Sequence, residues 1–134
     1  MKQILIVIFV VILGVVILAG CSSKSDKNTE NTYKQITPSE AKALMDSEEN
    51  YIILDVRTEE EFVEGHIEGA ILLPDYEIGE KAESMLTDKD QLIFVYCRSG
   101  RRSKNAASEL AALGYTNIQE FGGILDWPYG TVTE

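Results

Sequence analysis

Leu92-Ile93-Phe94-Val95-Tyr96-Cys97-Arg98-Ser99-Gly100-Arg101-Arg102-Ser103 is the stretch that decides the fold. Its first five residues form an unbroken apolar run, the pattern of a strand buried on both faces rather than one that alternates towards water. A helix is predicted from about Gly100 or Arg101 to Leu113. Ala106, Ala107, Leu110 and Leu113 recur along it at helical spacing, and Gly114 stops it. Cys97 stands at the junction. A buried strand that feeds a helix directly is the unit of an α/β domain with a mainly parallel sheet, and such sheets bind ligands beyond the carboxyl ends of their strands.

The flanking sequence repeats the unit. Tyr51 to Leu54 and Ala70 to Leu73 are further short apolar runs, and Asn117 to Phe121 is a fourth candidate strand. Thr37-Pro38-Ser39-Glu40 and Thr58-Glu59-Glu60-Glu61 have the form of capping boxes, with Thr at N-cap and Glu at N3, and each should start a helix. A weaker helix is predicted near Gly79 to Leu86.

The chain has 134 residues, a length for one domain. It carries 12 basic against 22 acidic residues, a formal charge of −10. That balance argues against nucleic acid as a partner, since such binding needs a basic footprint. His66 is the single histidine, too few for a zinc site of the usual His and Cys ligands. The two cysteines, Cys21 and Cys97, sit in separate chemical contexts, so a disulfide between them is not expected.

Residues 1–20 read as a targeting segment. Lys2 precedes an apolar run from Ile4 to Ala19, which as a helix would rise about 24 Å against a hydrocarbon core of about 30 Å. The run fits a signal peptide better than a permanent span. Leu18-Ala19-Gly20-Cys21 resembles a bacterial lipobox. That resemblance implies diacylglycerol transfer to the Cys21 sulfur, cleavage before Cys21 and acylation of the new amine. Two or three acyl chains anchor a protein stably. A cytoplasmic Lys2 places the remainder on the extracytoplasmic face of a bacterial membrane whether or not cleavage occurs. Residues 21–35, the lipidated Cys21 and the polar SSKSDKNTENTYKQ, read as a flexible tether to a domain over 36–130.

Cys97 carries the chemistry. A cysteine between a strand end and a helix start faces backbone N–H groups and the positive end of the helix dipole; both favour thiolate, the nucleophilic form. Arg98, Arg101, Arg102 and Lys104 crowd the same few positions of an otherwise acidic chain. A cation in the first turn of a helix is unfavourable by about 0.3–1 kcal/mol, so the cluster makes sense if an anion sits in the loop.

Cys97-x-x-Gly100-x-Arg102 resembles the active-site loop of rhodanese domains. Leu54-Asp55-Val56-Arg57, followed by Glu61-Phe62 and Gly65-His66-Ile67-Glu68-Gly69-Ala70, is similar to that family's first signature, with Glu68 where Pro is common. Gly122-Gly123-Ile124-Leu125-Asp126-Trp127-Pro128 is similar to its C-terminal signature. The resemblance spans roughly residues 36–130. It implies a single rhodanese-like α/β domain, with about five mostly parallel strands flanked by helices, and a sulfurtransferase working through a Cys97 persulfide. The donor would be a small anionic sulfur compound such as thiosulfate, and the acceptor a thiol or cyanide. The loop from Arg98 through Ser99, Gly100 and Arg101 to Arg102 would bind the donor, and Asp55 and Arg57 would support the loop. No metal or organic cofactor is implied. Protein phosphatases of the dual-specificity cell-cycle type share this fold and place five residues between Cys and Arg, whereas here Ser103 occupies the sixth position after Cys97 and Arg102 falls one short. A partner-specific persulfide carrier or a non-turnover binding module is the alternative within the family.

Overall fold

The computed structural model describes residues 32–133; residues 1–20, Cys21 and the polar stretch up to residue 31 lie outside the described residues. Strand β1 is Lys34–Gln35, β2 Tyr51–Asp55, β3 Ile71–Leu72, β4 Leu92–Cys97 and β5 Ile118–Gly123. Helix α1 is Pro38–Ser47, α2 Glu59–Glu64, α3 Ile78–Met85 and α4 Arg101–Ala112. The strands form one sheet in the order β1-β5-β4-β2-β3, and every pairing is parallel.

Both capping boxes form. Thr37 and Thr58 accept the N3 backbone N–H at the starts of α1 and α2, and Glu40 and Glu61 reach back to the N-cap N–H. The apolar runs lie at the centre of the sheet, where helices cover both faces. Alternate residues of β4 serve opposite clusters. Ile93, Val95 and Cys97 join the core under α3 and α4, while Phe94 and Tyr96 pack with Ala41, Met45 and Phe121 on the α1 side. Continuous hydrophobicity in β4 therefore reflects two half-cores, not one, and Cys97 points to the face occupied by α4.

One element departs from expectation. Lys34–Gln35, read above as the end of a tether, forms the edge strand β1, in register with Gln119 and Glu120 of β5. Two exposed polar residues joined to the sheet through their backbone carry no apolar pattern, and short polar edges of this kind also resist further strand addition. The sheet is irregular next to the cysteine. Val95 pairs with Glu120 but Cys97 pairs with Gly123, so β5 holds one extra residue there. Bulges of this kind bend a strand and re-aim its neighbours; Gly122, at φ 91°, takes the turn.

Candidate active site

Cys97 ends β4 as a free, buried cysteine with about 1% of its surface exposed. The chain then turns sharply and enters α4 with Gly100 at the N-cap, at φ 110°. This left-handed conformation suits glycine. It turns the Gly100 N–H back onto the Cys97 sulfur, 3.0 Å away. The opposite wall is equally specific. A Cβ on Gly123 would lie 1.9 Å from the Arg98 carbonyl oxygen, so the loop packs on bare backbone. Arg98, Ser99 and Arg101 are exposed around the turn, as is Lys104 beyond it.

Beneath the sulfur lies a polar pair that the sequence reading did not single out. Ser103 Oγ is 3.4 Å from Cys97 Sγ and 2.6 Å from Glu120 Oε1, which also accepts the Gly122 N–H at 2.8 Å. Both residues are buried. The carbonyls of Gly100 and Gly122 also lie within reach of Ser103 Oγ. A hydroxyl has one hydrogen, and the short contact to a carboxylate claims it. Ser103 therefore presents a lone pair to the sulfur, and the Gly100 N–H is the donor that a thiolate would use. A signal existed: Ser103, Ala106, Ala107 and Leu110 share the buried stripe of α4, so a polar Ser103 had to find a partner.

The structure gives Arg102 a different setting from the one expected. Its guanidinium makes a two-pronged ion pair with Glu61 of α2, Nη1 to Oε2 at 2.8 Å and Nη2 to Oε1 at 2.9 Å. The anion that offsets this first-turn cation is thus the protein's own. The Arg102 hydrogen bonds hold the Glu61 carboxyl down at about 2, with help from the Thr58 N–H, and Glu61 in turn raises Arg102. Among the described residues no carboxylate forms an ion pair with Arg98, Arg101 or Lys104.

Asp55 and Arg57 lie behind the loop. Arg57 Nε and Nη2 reach both Asp55 oxygens at 2.7–3.1 Å, and Nη2 also donates to the Gly65 carbonyl. Tyr96, next to Cys97, donates its hydroxyl to Asp55 at 2.6 Å and accepts the Ile67 N–H. Burial and the neighbouring Asp55 charge push the Tyr96 hydroxyl above its ordinary range. The network pins the end of β2, the α2–β3 connection and the last turn of β4 to one another. The His66 ring stays local, its Nδ1 2.8 Å from the Phe62 carbonyl and its plane stacked on Phe62, while its backbone bridges Val132 near the C-terminus through two hydrogen bonds.

A family model described as "Rhodanese-like domain" matches residues 37–128. Thiosulfate sulfurtransferase PspE of Escherichia coli is 37% identical over 73 residues, 54% of this chain and 70% of that protein. Thiosulfate sulfurtransferase 18 of Arabidopsis thaliana is 37% identical over 98 residues, 63% of this chain and 70% of its own length. A solved structure described as rhodanese with anions from E. coli superposes with a TM-score of 0.59 at 33% identity, covering 63% of this chain and 99% of that one. The chain belongs to the rhodanese-like domain family.

It is a rhodanese-type sulfurtransferase, and the loop geometry accounts for that chemistry better than for phosphate transfer. Where a longer phosphatase loop would need an arginine, this rhodanese has Ser103, buried under the sulfur and tied to Glu120. The arginine one position earlier is already paired with Glu61. What remains is a tight turn with one backbone donor on the sulfur and two exposed cations at its mouth. The loop is one residue too short for the phosphatase pattern, and the sixth position after Cys97 offers a buried hydroxyl where that pattern needs an arginine.

Proposed function

We propose that Cys97 takes the sulfane sulfur of thiosulfate, or of a persulfide donor, and passes it to a thiol or cyanide at the extracytoplasmic face of a bacterial membrane. The Cys97 thiolate attacks the outer sulfur of thiosulfate. A bond forms between Sγ and that sulfur, the bond to the sulfite sulfur breaks, and sulfite leaves with the bonding pair. Arg98 and Arg101 draw the dianion to the loop against the acidic charge of the rest of the chain. In the second half, an acceptor thiolate or cyanide attacks the outer sulfur of the persulfide, and Cys97 departs as a thiolate onto the Gly100 N–H. Both attacks are sulfur displacements in which the thiolate form does the work. The leaving thiolate needs a fixed donor that costs no reorganisation at the moment of reaction.

The observation that carries this reading is the 3.0 Å contact from the Gly100 N–H to Cys97 Sγ at the carboxyl end of the central strand. The anchoring half rests on the sequence alone, on the apolar run from Ile4 to Ala19 and on Leu18-Ala19-Gly20-Cys21. Thiocyanate formation from thiosulfate and cyanide tests the chemistry. The wild-type chain should produce it and Cys97→Ser should not. Turnover retained in Cys97→Ser would remove Cys97 from the role of nucleophile.

A further inference from the structure

We infer that Glu61 competes with the anionic sulfur donor for Arg102, so that α2 sets how strongly the enzyme favours thiosulfate over donors of lower charge. The inference rests on the sulfur-transfer reading above and names a residue that determines donor choice. Glu61 is held still by an independent task. Its Oε2 accepts the Thr58 N–H at 3.0 Å and lies 3.2 Å from Thr58 Oγ1, completing the capping box of α2. From that fixed position it occupies both terminal nitrogens of Arg102. The pair is only partly exposed, with about a quarter of each side chain reaching solvent.

A guanidinium recognises an oxyanion best through two parallel N–H groups, and Glu61 already uses one such edge of Arg102. Thiosulfate, with two negative charges, must either displace Glu61 or bind beside an uncompensated carboxylate. A persulfide donor with less charge meets neither cost. Arg102 stands in the first turn of α4, two residues past the Gly100 whose N–H meets the Cys97 sulfur, so its availability matters at the donor loop. The exposed Arg98 and Arg101 collect the dianion, while the Glu61–Arg102 pair limits how tightly it is held.

The test uses the full-length chain in detergent. Glu61→Gln keeps a residue type that completes a capping box and keeps the side-chain size, while removing the charge. Its KM for thiosulfate should fall roughly two- to fivefold, the worth of one partly exposed ion pair that no longer competes for Arg102, with a smaller change in kcat. Alkylation of Cys97 by neutral iodoacetamide should change little. In the Arg102→Gln background the same substitution should give no decrease in KM, because the effect must pass through Arg102. Should Glu61→Gln fold poorly, Glu61→Asp, which reaches one methylene less towards Arg102, should lower KM in the same direction by a smaller factor. An unchanged or raised KM, a gain that survives without Arg102, or an equal change in alkylation overturns the inference while leaving sulfur transfer standing. Absence of thiosulfate turnover in both wild type and variant, with Cys97 still alkylated, overturns the thiosulfate reading and this inference with it.

Discussion

At the scale of single residues, the catalytic turn is a problem of space more than of charge. Gly123 adopts ordinary extended angles, φ −132° and ψ 158°, so conformation alone would tolerate any residue. What excludes a side chain is the Arg98 carbonyl, 1.9 Å from where Cβ would lie. Gly123→Ala should therefore displace the Arg98–Ser99 backbone, destabilise the domain by about 1–3 kcal/mol and lower sulfur transfer more than stability alone explains. Thermal melts paired with thiocyanate assays check both parts; a fully active, equally stable variant would mean that the loop is softer than its packing implies. Gly122 offers a contrast, since nothing lies within 4 Å of a Cβ there and only its positive φ makes glycine necessary. The cysteine and Gly100 were legible in the sequence because strand, loop and helix are contiguous. The partner of Arg102 was not. Glu61 is 41 residues away, and its visible task as a capping residue hid its second one. Glu120 was hidden differently: one acid in a short strand gives no periodicity to read.

At the scale of elements, α2 is a short helix whose only apolar side chains, Phe62 and Val63, are not fully buried, so polar ties must hold it. It depends on the Thr58 capping box, the Glu61–Arg102 pair and the Arg57 bond to Gly65 at its end. The pH dependence has a definite sign. Glu61 titrates at about 2 in the folded chain against an ordinary value of 4.5, so the folded state favours the charged form. Its contribution is present above about pH 4.5 and is lost as pH falls through about 2. Melting temperature measured across that window should drop, and Glu61→Gln should flatten the drop. A wild-type profile that is flat between these values would show the pair to be energetically idle. The central strands were readable from hydrophobicity because β2 and β4 are covered on both faces. The polar, two-residue β1 was not, because Lys34 and Gln35 themselves are exposed and pair with β5 through the backbone, and the apolar anchors are single flanking residues, Tyr33 and Ile36, packed on opposite clusters.

At the scale of the whole molecule, an acidic chain places Arg98, Arg101, Arg102 and Lys104 within seven positions of one loop, and that asymmetry favours a small anion there over the acidic remainder. The remaining long-range element lies outside the described residues: the apolar segment ending at Cys21. If Cys21 carries the lipid, Cys21→Ala should release the protein from membranes while the catalytic chemistry of Cys97 persists. Fractionation of cells expressing the variant checks this, and a variant that stays in the membrane fraction would make the apolar run itself the anchor. The claim on which everything else depends is that sulfur resides covalently on Cys97 between donor and acceptor. Mass spectrometry of the chain after incubation with thiosulfate addresses it directly. The Cys97 peptide should gain the mass of one sulfur atom and lose it on addition of cyanide or a thiol. An unmodified Cys97 peptide in a chain that still forms thiocyanate would contradict the persulfide route.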